Sequence, residues 1–383
     1  MFKYKCLQFI IYPIIIFFSF IRILLKKETF YSIKQKIFCI YDFEKINNLD
    51  VVIHFASIGE LNSIKYITDN LLNQKILLTC TTLSSYNLAK KKYPQYQIVF
   101  LTFDFYWNVK KFLQKTKLKK FIWIDSEIWP SWLEEVKKNN IKNILVNGRL
   151  SNKSYNNWIK ISSFAKLIGK NYDLIFTKSE DDKRKFENLF TKEAYFYGNL
   201  KFNLNIKIQS KKRNNICFAS IHKLEFPKII KIIKKLDLSL FDNIFIIPRH
   251  IQYSEKLKSI LDINIENKVH IHKEFGNTID LFDQSKVVFM GGSLFNHGGQ
   301  NPLEALSRGC YLLTGKHISN FQKEYSELDE LKLASFIETS LEDTAKKINN
   351  LITRDIENSE NIVNYFTKNT KEFSKIMDLI NKC

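Results

Sequence analysis

Cysteine is sparse: six residues in 383 (Cys6, Cys39, Cys80, Cys217, Cys310, Cys383), none in a C-x-x-C pair. That excludes a zinc or disulfide framework and points to a reducing compartment. No internal repeat and no low-complexity block interrupts the chain. Hydrophobic residues make up 45%, ordinary for a globular protein, which excludes both a disordered chain and a polytopic membrane protein. Acidic residues are short in number, 39 against 59 Lys and Arg, for a net charge of +20. The excess lysine is spread along the chain, and no aromatics cluster among lysines, so nucleic acid is not an expected partner. Lys, Asn, Ile and Phe, all encoded by A/T-rich codons, are abundant, so genome composition accounts for part of the charge. Attraction to an anionic membrane or a phosphorylated substrate is the better physical use of the remainder.

The length is enough for two domains with real cores. Residues 1–45 read as an apolar and basic leader. Cys6–Ile21 is almost wholly apolar, with Lys3 and Lys5 before it and Arg22, Lys26 and Lys27 after it. It falls short of the roughly 20 residues a helix needs to cross a bilayer, and Pro13 is expected to interrupt it. No small-residue cleavage site follows. The segment therefore reads as a membrane anchor, either embedded in the cytoplasmic face or crossing as a short tilted span.

From Asp50 onward, short apolar runs alternate with amphipathic stretches. Strands are expected at Val51–Phe55, Lys75–Cys80, Gln97–Leu101, Phe121–Ile124, Asn143–Val146, Asp173–Thr177 and Ala194–Tyr197. Helical patterns include Leu83–Tyr93, Pro130–Asn140 and Glu180–Phe190. A polar, lysine-rich stretch, Asn203–Asn215, reads as a linker. Strands resume at Ile216–Ala219, Ile244–Ile247, Val269–His272, Val287–Met290, Tyr311–Thr314 and Ser335–Ile337. Such alternation predicts parallel sheets covered on both faces. The expected architecture is α/β: a first domain over 46–205 and a second over 206–383, facing a central cleft. The last helix is a candidate to pack back on the first domain.

The chain holds only 11 glycines, yet Gly291, Gly292, Gly298 and Gly299 fall within nine positions of the stretch GGSLFNHGGQNPLEALSRGCYLLTG. This run follows a buried-strand pattern and leads through Asn301-Pro302 into a helix carrying Glu304 and ending near Gly309. A strand, a glycine loop and a helix N-terminus predict an anion site formed by backbone N–H groups. Ser293, Asn301 and Glu304 stand close by, as a nucleotide site would need. Other candidates sit directly after strands. His54–Ile64, HFASIGELNSI, sets Ser57 and Glu60 at the start of a helix. Thr79–Ser85, with Thr81 in it, either holds a sugar or phosphate or caps a helix. In Asp125–Pro130, DSEIWP, Asp125 and Glu127 are either acid/base groups or a cap and a brace. Arg149 in NGRLS is a phosphate or carboxylate clamp. His222 follows ASI, and Arg249 and His250 follow Ile247-Pro248, with Arg249 the candidate for a nucleotide phosphate. His270 and His272 alternate on one strand without a carboxylate-rich loop beside them, so no metal is expected.

Taken in order, these motifs resemble one family, the bacterial 3-deoxy-D-manno-octulosonate (Kdo) transferases of lipopolysaccharide assembly. The match rests on SIGE, TCTT, DSEIWP, NGRLS, Gly198–Phe202, ASIH, PRH and the GGSL…HGGQNPLE…LTG run, extending to about Gln322. The resemblance implies a GT-B fold of two Rossmann-like domains, and an inverting enzyme at the cytoplasmic face of the inner membrane. It implies CMP-Kdo as donor, a lipid A precursor (lipid IVA) as acceptor, and no cofactor or metal. By position it makes Glu60 the general base and Arg249, Gly291, Gly292, Ser293, Asn301 and Glu304 donor ligands, with His250 beside them. Ser57, Thr81, Glu127, Arg149 and His222 remain candidates for acceptor binding or support. The alternatives are another GT-B transferase or epimerase with a different sugar nucleotide, and a non-catalytic basic protein.

Overall fold

The structure, a computed structural model, describes every residue except Ser126, 209–212, 262–266, 274–277 and 356–357, with only the backbone described at Ile58 and Asn62. The expected linker at Asn203–Asn215 lies partly outside the described residues. Two compact units emerge: Met1–Asn203 together with Asn369–Cys383, and Leu204–Lys368.

In the first unit six strands form one sheet: β1 (Val51–Phe55), β2 (Ile76–Cys80), β3 (Gln97–Phe100), β4 (Lys120–Ile124), β5 (Lys142–Gly148) and β6 (Leu174–Thr177). They are parallel and ordered β3-β2-β1-β4-β5-β6. The second unit repeats the design with β7 (Asn215–Ile221), β8 (Ile244–Pro248), β9 (Val269–Ile271), β10 (Ser285–Met290), β11 (Tyr311–Thr314) and β12 (Ala334–Phe336). Its order is β12-β11-β10-β7-β8-β9. Read from its own first strand, this is the same doubly wound order, so each sheet has one switch point, where the winding reverses. These points lie between β1 and β4 and between β7 and β10. The chain has the GT-B fold.

The local chemistry explains the layers. β1 and β2 are buried at every position, as strands covered on both faces by helices must be, and their sequences are apolar runs rather than alternations. The first core gathers around Trp123 and Trp132, both without exposed surface. Their indole N–H groups reach Asn143 Oδ1 at 2.8 Å and the Thr102 carbonyl at 3.0 Å, which removes the cost of burying an unpaired donor. The second core packs Ile229, Ile232 and Ile233 of the helix Phe226–Ile233 with strand residues such as Phe218 and Phe289. The stretch expected as a strand at Ala194–Tyr197 makes only one bridge, Tyr195 to Phe176.

The N-terminal stretch departs from expectation. Pro13 does not interrupt it: one helix runs Phe2–Leu24, about 35 Å at 1.5 Å per residue, long and apolar enough to cross a membrane. Its Tyr4, Gln8 and Tyr12, spaced by four, meet the rest of the first unit. Tyr4 Oη donates to Asp104 at 2.8 Å, Gln8 Nε2 to Ser131 Oγ at 2.7 Å, and the Tyr12 ring packs edge-on to Phe105. Phe9, Ile10, Phe17 and Phe18 stay exposed. Asn369–Cys383 also belongs to the first unit. Its helix Phe373–Lys382 sets Phe373 against Tyr66 and Gly198, and the Ile380 carbonyl accepts from Lys120 Nζ at 2.7 Å.

Candidate functional site

At the switch point of the first sheet, β1 is followed by Ala56-Ser57, and a 3-10 turn, Ile58–Glu60, leads into the helix Leu61–Asp69. The Glu60 side chain folds back over this turn. One carboxylate oxygen accepts from the Ala56 N–H at 2.7 Å and the other from Ser57 Oγ at 2.8 Å. Ser57 therefore positions Glu60.

β4 delivers Asp125, whose φ of +69° turns the chain sharply, a conformation Asp tolerates. Burial, then the charges of Asp125 and Glu127, push the Glu60 carboxyl up to about 7, against the lowering effect of its two hydrogen bonds. A position at a helix start, taken alone, favours the ionised carboxylate. Desolvation and like charge outweigh that field.

Glu127 is raised too, chiefly by burial, although the Trp129 indole donates to it. It lies 3.8 Å from His54 Nε2. That approach is not an ion pair, because complete burial drives the imidazole down to about 3 and leaves it neutral. The His54 ring is fixed between Thr79 Oγ1 at 3.0 Å and Thr81 Oγ1 at 3.4 Å.

The structure shows which side chains cap the two helices concerned. In the hydroxyl-rich loop, Thr82 caps the helix Leu83–Lys92, accepting from the Ser85 N–H at 3.2 Å, while Thr81 faces the histidine. In DSEIWP neither acid caps the following helix, Pro130–Lys138. The cap comes from Asp104, which accepts from the N–H groups of Ser131 at 3.0 Å and Trp132 at 2.9 Å; Glu127 braces Trp129. Ser126 lies outside the described residues. Arg149 follows β5, half-buried, one strand beyond β4.

In the second unit the switch point brings together the residues after β7 and β10. Gly291 must lack a side chain, since a Cβ there would meet the Ser220 carbonyl oxygen at 2.5 Å, and Gly292 has φ +68°. The N–H groups that follow, expected to face a phosphate, already have an anion. Glu225, wholly buried, accepts from Gly292 at 2.8 Å, Ser293 at 3.0 Å, Leu294 at 2.9 Å and His222 at 2.8 Å. Ser293 Oγ in turn donates to the Met290 carbonyl at 2.7 Å and accepts from the Gly315 N–H at 2.8 Å. The turn is thus an internal anion nest filled by the chain's own carboxylate. The helix beyond Pro302 spans only Leu303–Leu306, so its dipole adds little. Asn301 Oδ1 accepts from the Leu303 N–H at 3.2 Å, and Glu304 sits half-buried in that turn.

Around this rigid turn stand the histidines. His222 stacks on His297 with ring centres 4.3 Å apart and meets the His250 ring edge-on at 6.3 Å. Gln300 Nε2 lies 3.4 Å from His222 Nε2. Burial, then His297, hold the His222 imidazole below its usual range, with Arg249 and His250 adding to the effect. Arg249 is exposed, its backbone N–H tied to the Ile221 carbonyl at 2.8 Å. Sequence reasoning missed Glu225, His297 and Gln300. The last two stand inside the HGGQ run, and Glu225 three residues after His222. His270 bonds to Asn243 Oδ1 at 2.8 Å, and among the described residues no three His, Cys, Asp or Glu gather as metal ligands.

A family model described as 3-deoxy-D-manno-octulosonic-acid transferase (kdotransferase) matches residues 28–204. The chain is 29% identical to the 3-deoxy-D-manno-octulosonic acid transferase of Rickettsia bellii over 99% of its own length and 98% of that protein. It is 30% identical to that of Aquifex aeolicus, covering 72% of this chain and 79% of the relative. The chain belongs to the Kdo transferase family. It is a glycosyltransferase on that ground. Solved structures agree on fold alone. A glycosyltransferase from Rickettsia africae superposes with TM-score 0.55 at 12% identity, covering 88% of this chain and 99% of that one. MurG of Acinetobacter baumannii gives 0.54 at 10%, covering 87% and 100%.

Proposed function

We propose that this Kdo transferase moves Kdo from CMP-Kdo to a lipid A precursor, lipid IVA, with inversion at the anomeric carbon. The observation that carries the reading is Glu60: a buried carboxylate at a sheet switch point, held by two donors and poised near pH 7. An acceptor hydroxyl is a poor nucleophile at neutral pH, and a base is most effective when its pKa lies near the working pH. Glu60 takes the hydroxyl proton as the oxygen attacks the anomeric carbon. The bond from that carbon to the CMP phosphate breaks, and its electron pair leaves with the phosphate. A single displacement without a covalent enzyme intermediate inverts the centre.

Arg249 neutralises the charge that builds on the departing phosphate, with His222, His250 and Gln300 beside it. Gly291, Gly292 and Ser293 act by shaping the turn around Glu225, and Asn301 and Glu304 continue the donor surface. No metal takes part. Thr81 and Glu127 support the acceptor side through His54 and Trp129, and Arg149 meets an acceptor phosphate. The helix Phe2–Leu24, with basic residues at both ends, holds the enzyme at the cytoplasmic face of the inner membrane.

The test is to incubate the protein with CMP-Kdo and tetraacylated lipid A precursor and weigh the lipid by mass spectrometry. A mass gain of one or more Kdo units is expected; an unmodified lipid with consumed donor would sink the acceptor assignment.

A further inference from the structure

We infer that the cavity between the N-terminal helix and the loops after β3 and β4 is an acyl-chain site for the lipid acceptor, a reading that rests on the function proposed above. The cavity measures about 300 Å³, at the small end of ligand sites. Leu7, Ile11 and Ile15 of the helix form one wall, and Phe105, Ile128 and Trp129 the other.

Three polar side chains in the wall, Tyr4, Gln8 and Asp104, direct their hydrogen bonds to the protein. Tyr4 Oη donates to Asp104, and Asp104 also caps the Pro130–Lys138 helix. Gln8 donates to Ser131 Oγ and accepts from the Tyr106 N–H at 3.1 Å. A polar ligand would find these groups already committed, whereas an alkyl chain needs none of them.

Two further observations select the acceptor's chain. The helix that walls the cavity turns Phe9, Ile10, Phe17 and Phe18 outward, so the cavity opens beside a surface suited to hydrocarbon. Lys3 stands at one end of that helix and Lys26 and Lys27 just beyond the other, a charge that suits an anionic headgroup. Second, Trp129 belongs to both places: its ring lines the cavity and its N–H donates to Glu127. Glu127 is one of the charges that raise Glu60. A chain in the cavity therefore holds its headgroup within one side chain of the carboxylate cluster, which a bulk membrane lipid would have no reason to need.

The experiment uses the full chain and saturating CMP-Kdo with two acceptors: tetraacylated lipid A precursor in mixed micelles, and its fully deacylated disaccharide bisphosphate. Ile11→Trp fills the cavity; Ile10→Trp places the same bulk on the outward face. Ile11→Trp should raise KM for the acylated acceptor roughly tenfold to hundredfold, the loss expected when two or three methylenes are denied burial. The rise should be confined to that acceptor, with kcat little changed, and Ile10→Trp should behave as native. An unchanged KM in Ile11→Trp removes the cavity from acceptor binding. So does an equal rise with both acceptors, which would mean the helix had shifted. Sedimentation with phosphatidylethanolamine–phosphatidylglycerol vesicles separates the other source: if Ile11→Trp loses vesicle binding, a bulk lipid chain occupies the cavity and the inference fails. Native protein that transfers to neither acceptor overturns the functional reading itself; native transfer with unaltered Ile11→Trp kinetics overturns only the cavity.

Discussion

The carboxylate of Glu225 sits inside the turn opened by Gly292, 67 residues further along the chain, and accepts the N–H of that glycine at 2.8 Å. Three more N–H groups share it, so four donors converge on one buried charge. Glu225→Gln keeps the shape but replaces one accepting oxygen with a donor. Amide exchange across His222 and Gly292–Leu294 should then accelerate by about a hundredfold, from losing one or two hydrogen bonds to a charged group. Native-like protection in the variant, read by hydrogen-exchange mass spectrometry, would show that the carboxylate does not hold the turn.

Glu60 predicts a pH profile. The base must be ionised, so kcat/KM should rise with pH and level off above about 7, where its carboxyl titrates. A rate flat from pH 5 to 8 would separate Glu60 from the proton transfer.

The same group makes a stability prediction of opposite sense. The folded chain keeps the Glu60 proton up to about pH 7, while the unfolded chain releases it near the ordinary carboxylate value. Between those points the folded state binds more protons, so stability falls as pH rises. Glu60→Gln should therefore be more stable than native at pH 8, by on the order of 2–3 kcal/mol, with little gain at pH 4. Thermal unfolding at both pH values checks it. Equal melting points at pH 8 would contradict the burial-driven shift.

Glu60→Gln should bind CMP normally yet lose transfer by roughly a hundredfold to ten-thousandfold. Glu127→Gln is the comparison. A dead Glu127→Gln beside a near-native Glu60→Gln would name the other carboxylate as the base.

Arg249→Ala should weaken CMP binding by roughly 1.5–3 kcal/mol, and Arg249→Lys should recover only part, since an ammonium lacks the planar fork. Calorimetric titration decides; unchanged affinity in the alanine variant takes Arg249 out of the site.

Most of the architecture was legible in the sequence because buried parallel strands write themselves as apolar runs. Val51–Phe55 and Tyr311–Thr314 were expected at their observed bounds, and Glu180–Phe190 as a helix with its Ser179 cap unmentioned. Ala194–Tyr197 had the same composition, but only Tyr195 found a partner strand. Candidates such as Glu60, Glu127, His222 and Arg249 stood out because they come within a few residues of a strand end, whereas Asn301 and Glu304 stood out only by following the glycine loop. What could not be read was anything fixed by distant contacts. Asp104 caps a helix 26 residues on, Glu225 fills a turn formed by another strand, and Pro13 stays helical where tertiary contacts by Tyr4, Gln8 and Tyr12 support the segment. The field of a helix start favours an ionised Glu60; the depth of burial and the placement of Asp125, neither visible in the sequence, reverse it.

The interruption of the first unit by the second has a bearing on synthesis. Phe373 packs against Tyr66 and Gly198, yet all of Leu204–Lys368 is translated between Gly198 and Phe373. At about 5–20 residues per second, the sheet around β1 waits on the order of ten seconds or more for its closing helix. The later-made unit, whose parts are contiguous, is free to fold first. The N-terminal helix, in contrast, has left the ribosome long before the segment that completes its unit is made, so the first and last elements of one unit enter folding at opposite ends of synthesis.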